Sequence, residues 1–373
     1  MSTWQGKPSR RAALVGACAV LGTLLACGQN VSTPSSSPSD GASPAGVSAV
    51  DLTGATVNLP SPASRIVAIP IPSASMLVAV AGSPDVIVGM HPGARTAIEK
   101  GFLGEVYPQL KEVPTNVTNS EFVPDVEAIL ATRPDLVVQW GDQGAGLIDP
   151  LKETGIPLAQ LTYGSQEELE GAISMYGQLL GKEDRADAIL KRMTDAKERL
   201  AAAPAADTLS VLYIRGGEDV FEAAGKGSYN AHAIQVAGGV NVADSIEGTN
   251  STVNIEQVQA WDPDIILIGN FGPTKPEDLY QNPQLAGLKA VQNKRIYKVP
   301  LGGYRWDPPN QESHLMWEWL AGIIRQDGAP GLRERITTDL EFLYGTAPSA
   351  EQVDTILQVS LNAGSAGYDN FGA

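Results

Sequence analysis

The stretch Gly302-Gly303-Tyr304-Arg305-Trp306-Asp307-Pro308-Pro309 sets a cation between two aromatic rings, behind paired glycines. Glycines let the backbone turn sharply. A guanidinium can pair with an anionic oxygen, and a neighbouring ring can stack on a flat molecule. The same residues also read as a packed loop corner, with Trp306 over the core and Arg305 paired to Asp307. Other chemistry finds little footing. There is no Gly-x-Ser-x-Gly elbow, no His-Glu-x-x-His pair and no dinucleotide fingerprint. The histidines His91, His232 and His314 stand far apart. Gly225-Lys226-Gly227 lacks the remaining spacing of a phosphate loop and reads as a turn. The sequence therefore argues for binding and against catalysis.

The N-terminal segment belongs to no fold. Lys7, Arg10 and Arg11 precede the apolar run AALVGACAVLGTLLA, which is too short for a comfortable membrane span and reads as an export signal over residues 1–26. It ends in Leu24-Leu25-Ala26-Cys27, similar to a bacterial lipobox, so cleavage before Cys27 and lipid on its sulfur are expected. An ordinary signal with a chance cysteine is the alternative. Ser9-Arg10-Arg11 leaves both the Sec and the twin-arginine routes open. The cysteines are Cys18, inside the signal, and Cys27, so no internal disulfide and no cysteine metal site is available. Residues 27–47 are mostly Ser, Pro and Gly, the composition of a flexible tether. Loss of the leader's three cations takes the formal charge from −16 to −19. Such an acidic body disfavours nucleic acid and anionic lipid surfaces as partners.

The body must position the loop. SRIVAIPIP (64–72) reads as a strand, and SASMLVAVAG (73–82) as a helix opened by a serine cap and closed by glycine. Residues 85–90, 135–140 and 156–161 are further strands. Residues 166–203 carry no proline and a helical apolar stripe, broken at Gly181. The second half is one long helix ended by Pro204. The pattern then restarts with strands at 208–214, 264–269 and 295–300 and a helix at 228–239. The phrase VEAILATRPDLVV (126–138) returns as IEQVQAWDPDIIL (255–267), with Glu127 and Glu256 seven positions before Pro134-Asp135 and Pro263-Asp264. In each copy the residue before proline is pushed from helical angles, so a helix stops and a buried strand starts. Trp317 and Trp319, in ESHLMWEWLAGII, follow a core stripe.

Taken in order, SRIVAIP, VEAILATRPDLVV, the long helix, AIQVAGGVNVADS, IEQVQAWDPDIIL and NKRIYKVP resemble the substrate-binding proteins of ABC importers for ferric siderophores, haem and cobalamin, over nearly all of residues 48–326. These are the class III, helical-backbone periplasmic binding proteins. The resemblance implies an α/β fold: two three-layer lobes with central, mainly parallel sheets, 48–182 and 205–345, joined by a single long helix, 183–204. A C-terminal helix and tail would follow at 346–373. It implies a monomer, lipid-anchored through Cys27 outside the cell membrane, that delivers its ligand to a permease. The ligand is expected to be an Fe(III) chelate, most simply a ferric siderophore, with no catalytic cofactor. Haem or cobalamin in the same cleft, and zinc or manganese held by histidines and carboxylates, are the alternatives.

Ligands of parallel sheets sit beyond the carboxyl ends of the strands. That rule nominates His91, Trp140, Arg215, Tyr229, Phe271, Tyr304, Arg305 and Trp306. His91 and Tyr229 are the candidate haem ligands, and Arg215 has a plain internal ion pair as its alternative. The resemblance places a permease-docking carboxylate at Glu127. It expects a second glutamate where this chain carries Gln235, so Glu256 is the candidate substitute.

Overall fold

The computed structural model describes residues 46–372, apart from Tyr163, Ala206, Glu218, Asp219 and Thr249. The expected leader, Cys27 and nearly all of the tether lie outside the described residues. Among these residues no helix is long and apolar enough to cross a membrane.

Order begins with a hairpin that sequence reading did not foresee, Val47–Val50 against Thr56–Leu59. Its turn is fixed by Asp51. One carboxylate oxygen accepts from the Thr53 and Ala55 amides at 3.0 and 2.9 Å, and the other accepts from the Gln160 amide at 3.0 Å. The first large sheet has four parallel strands, in the order Ile87–Met90, Ile66–Ala68, Leu136–Trp140, Leu158–Leu161. The strand expected at 85–90 starts only at Ile87; Pro84–Val86 make one 3-10 turn, because Pro84 stands at its start and Ser83 caps it. The second sheet centres on Ser210–Gly217, parallel to Ile265–Ile268, which is parallel to Ile296–Lys298. It also carries an antiparallel extension, Val220–Ala223 and then Ser251–Asn254. The strand expected to end at 214 runs on to Gly217, so Arg215 lies within it.

The helix Ser73–Ala81 begins one residue beyond Pro72 and has no side-chain cap; Gly82, in the left-handed region, closes it as expected. The Ser73 hydroxyl instead accepts from the buried Tyr176 hydroxyl at 2.8 Å. Helices Gln166–Leu180 and Glu183–Ala202 meet at Gly181, also left-handed. The first of them has a full capping box between Ser165 and Glu168.

Period-two alternation divides each sheet between two cores. Val67 and Val137 face one small core with Ile129 and Leu151, while Leu212, Ile214, Ile266 and Ile268 face another. The opposite faces, with Ile66, Val138, Val211, Tyr213, Leu267 and Tyr297, enter one continuous core. That core is built around the two consecutive helices and the fully buried stretch Ser313–Ile324. The two sheets thus share their inner core. Helix Leu332–Tyr344 ties across it: the Arg185 guanidinium donates to the Phe342 and Leu343 carbonyls at 2.6 and 3.1 Å, and Arg192 pairs with Asp339 at 3.0 Å. Arg199 and Arg335 both grip the buried carboxylate of Glu318. The C-terminal segment holds the helix Ala350–Ile356, and the described residues after it pack on the body. Tyr368 and Phe371 are buried, and the Tyr368 hydroxyl donates to the Leu357 carbonyl.

Candidate ligand cleft

A cavity of about 200 Å³ opens between the carboxyl ends of the two sheets. The first sheet contributes Ile71, Pro72, Phe122 and Trp140, and the second contributes Tyr213, Arg215, Tyr229, Phe271, Tyr304 and Asp307. Five of the sequence candidates therefore meet here: Trp140, Arg215, Tyr229, Phe271 and Tyr304.

Arg215 is the described cation on the cavity wall. It is the cross-strand partner of Glu222, with which it pairs at 2.8 Å, and it donates to Asn250. The ion-pair alternative and the cleft position thus hold together in one residue. Its guanidinium carbon stands 4.7 Å from the Phe271 ring centroid, and so does that of Arg305. The Phe271 ring is 42% exposed, the most exposed aromatic of the site. Phe271 is presented by a loop anchored on Lys298. The buried Lys298 ammonium donates to the carbonyls of Gly269, Gly272 and Thr274 at 2.8, 3.1 and 3.0 Å. Burial pulls its pKa down to about 8, opposed by the negative charges of Asp307 and Asp278.

Three candidates are placed elsewhere. Arg305 is buried behind Phe271, and its Nε donates to the Asn270 carbonyl at 3.3 Å, with no ion pair to Asp307 among the described residues. Trp306, expected to offer a stacking face, is 0% exposed, and its indole donates to Glu312 at 2.7 Å. His91 is buried, accepts from the Gly93 amide at 2.8 Å to cap a helix, and stacks on Phe122 at 4.6 Å. Burial lowers its pKa. None of the three lines the cavity.

For Trp306 the reason is the hub at Glu312. Its buried carboxylate accepts from the amides of Gly303 and Tyr304 at 3.2 Å each, from Trp306, and from the Tyr344 hydroxyl. Burial raises its pKa, which these donors partly offset. The glycines serve this close approach rather than a left-handed turn. A Cβ on Gly302 would stand 1.9 Å from a Glu312 oxygen, and one on Gly303 would stand 2.4 Å from the Tyr344 ring. Of that loop only Tyr304, Asp307 and the two prolines after it reach the cavity.

Sequence reading missed Phe122, Gln143, Tyr213, Asn230, Asn250 and Asp307. Phe122 stands at φ 65°, a left-handed conformation strained for an aromatic residue. It is fixed there by Gln139, whose amide donates to the Phe122 carbonyl at 2.8 Å, and its ring meets Trp140 edge-on at 6.0 Å. Tyr213 could have been found by alternation, since it lies two residues before Arg215 on the same strand. Asp307 is visible in the loop, where the sequence offers it only as an alternative partner for Arg305.

Glu127 and Glu256 are exposed in the first turns of matching helices, Val126–Thr132 and Ile255–Trp261, capped by Asp125 and Asn254. Gln235 is exposed on the rim of a separate polar groove of about 740 Å³, with Lys197, Lys226 and His232. Among the described residues no three His, Cys, Asp or Glu side chains cluster as metal ligands.

Residues 76–301 match the family model described as periplasmic binding protein, and the chain belongs to that family. The ferric enterobactin-binding periplasmic protein FepB of Escherichia coli is 26% identical over 68% of this chain and 83% of its own. The iron(3+)-hydroxamate-binding protein FhuD of Bacillus subtilis is 25% identical over 56% of this chain and 69% of its own. The molybdate-binding protein MolA of Haemophilus influenzae is 21% identical, and the match spans only 63% of its length. Among solved structures, a periplasmic solute-binding protein from Veillonella parvula superposes with a TM-score of 0.77, at 32% identity over 85% of this chain and 98% of that one. The named relatives carry ligands; none is named as an enzyme.

Proposed function

We propose that this protein captures an iron(III) chelate of the siderophore class in the cleft between two lobes, 48–182 and 205–345, and delivers it to an ABC importer permease. The convergence of Arg215, Phe271, Trp140, Tyr229 and Tyr304 on one cavity carries this reading. A cation would face the anionic oxygens of the chelate, and rings would cover its flat arms. The likeness to FepB and FhuD supports an iron chelate. Glu127 and Glu256 would dock the two lobes on permease cations, with Gln235 a neutral contact. Cys27 would carry the lipid that keeps the monomer at the membrane, after export by the Sec or twin-arginine route.

The test is a titration of purified protein with ferric hydroxamate, ferric catecholate, haemin, cobalamin and molybdate, followed by intrinsic tryptophan fluorescence. Tight binding of a ferric chelate is expected. Binding of haemin or cobalamin alone, or of none, overturns the reading. A compact oxyanion is the second reading. The cavity, about 200 Å³, falls below the range usual for drug-sized ligands, and molybdate binding alone would decide for it. For the anchor, Cys27→Ser is expected to move the protein from the membrane to the soluble fraction.

A further inference from the structure

Asp307, a residue of the cavity lining, holds a buried acceptor without a partner. The residue is 1% exposed and lines the cavity. One carboxylate oxygen, Oδ2, accepts from the Tyr213 hydroxyl at 2.8 Å and from the Asn270 amide at 3.0 Å. The other, Oδ1, is buried and has no hydrogen-bond partner among the described residues. Neither nearby cation, Lys298 or Arg305, makes an ion pair with Asp307 among the described residues. Lys298 donates to three carbonyls, and the Nε of Arg305 is engaged by the Asn270 carbonyl. A buried carboxylate oxygen without a donor is costly, and proteins keep such groups where a ligand or water completes them.

We infer that Asp307 is a specificity-determining ligand contact, and that the natural ligand brings a hydrogen-bond donor, an ammonium or N–H group, to Oδ1. Resting on the cavity being the ligand site, the inference narrows the class of ligand. A molecule with both an acceptor face for Arg215 and a donor for Asp307 fits. A bare oxyanion does not, because it would meet the carboxylate with like charge. Asp307→Asn keeps an oxygen for Tyr213 and Asn270 and turns the free acceptor into a donor, so the geometry is conserved while the preference inverts.

The experiment compares wild type and Asp307→Asn by thermal shift and fluorescence titration with four probes: a ferric trihydroxamate bearing a free ammonium (ferrioxamine B), its N-acetyl derivative, molybdate, and methylammonium. Wild type is expected to bind the ammonium form at least tenfold more tightly than the acetylated form, with no such preference in Asp307→Asn. Molybdate binding, if any, should improve in the variant. If no chelate binds but methylammonium still changes the tryptophan fluorescence of wild type and not of Asp307→Asn, the iron-chelate reading fails and the role of Asp307 stands. Equal affinities of wild type for both chelate forms overturn it. So does the absence of any response to methylammonium when neither chelate binds. These wild-type comparisons hold even if the variant does not fold.

Discussion

Asp135 and Asp264, 129 residues apart, make the same clamp in two different sheets. Asp135 Oδ2 accepts from the amide and hydroxyl of Ser64, both at 2.8 Å, and Asp264 Oδ2 accepts from those of Ser210 at 2.9 and 2.7 Å. Each aspartate then returns its own amide to the neighbouring strand, to the Arg65 carbonyl at 2.9 Å or the Ser210 carbonyl at 3.0 Å. The helix before each clamp ends on a left-handed residue, Arg133 or Asp262. The repeated Pro-Asp pair therefore stops a helix and pins the start of the adjacent strand. Replacing the aspartate by alanine strips three donors of their acceptor at Asp135, where the Arg65 amide also donates at 3.0 Å, and two at Asp264, and should cost about 1–3 kcal/mol at each. Urea unfolding of Asp135→Ala and Asp264→Ala checks this; a loss within error at both would show that the clamp is ornamental.

Lys298 gives a pH signature. Its folded-state pKa is near 8, against an ordinary 10.5. Between those values the unfolded chain binds the extra proton, so stability attributable to Lys298 rises with pH across that window. The penalty of burying the cation is fully present below pH 8. Wild type should gain about 1–2 kcal/mol relative to Lys298→Met between pH 8 and 10.5, allowing for residual screening. Denaturation midpoints of both proteins across that range are the measurement. A flat difference would contradict the assignment.

Trp306 should behave as a structural residue. Trp306→Phe removes one donor from the buried Glu312 carboxylate and should lower stability by about 1–3 kcal/mol. Ligand affinity should change less than twofold. A loss of affinity without loss of stability would return Trp306 to the binding surface.

Arg215 and Phe271 should show the reverse pattern. Arg215→Ala is expected to weaken the chelate that binds by about 10- to 100-fold, the scale of a lost charge-assisted contact. Phe271→Ala should weaken it by about 3- to 10-fold, with little change in the unfolding midpoint, because this residue is already 42% exposed. Isothermal titration of each variant decides.

The docking assignment predicts a defect in transport without a defect in binding. Glu127→Lys should abolish uptake in cells while the purified variant keeps its affinity, since like charge across an interface is strongly unfavourable. Glu256→Lys should do the same if it replaces the missing second-lobe glutamate. Should Glu256→Lys transport normally while Gln235→Lys does not, the docking face follows the family position instead.

Much of the frame was written in local pattern. Gly82 and Gly181 mark helix ends because left-handed caps favour glycine, and the apolar triplets after Pro134 and Pro263 mark strands buried on both faces. The cleft was legible where a residue ends or closely follows such a strand, as Trp140 and Phe271 do. It failed where tertiary partners decide orientation. Nothing local shows that Glu312 draws the Trp306 indole inward, that Arg305 lies behind Phe271, or that Phe122 takes a left-handed backbone. Nor does the sequence show which oxygen of Asp307 is left over after Tyr213 and Asn270 take the other.

The shared inner core bears on how cargo leaves. Both sheets rest on one continuous apolar mass, and Arg185, Arg192, Arg199 and Arg335 stitch the helices across it. Spreading the lobes like jaws would shear that mass, whereas the pieces that touch the cavity from the rim are short loops around Phe122, Phe271 and Tyr304. On the proposed function, such a container would open by its latch and not by its walls: its off-rate would be set by a few side chains and the loop Lys298 pins, and a permease would need only to disturb those to empty it.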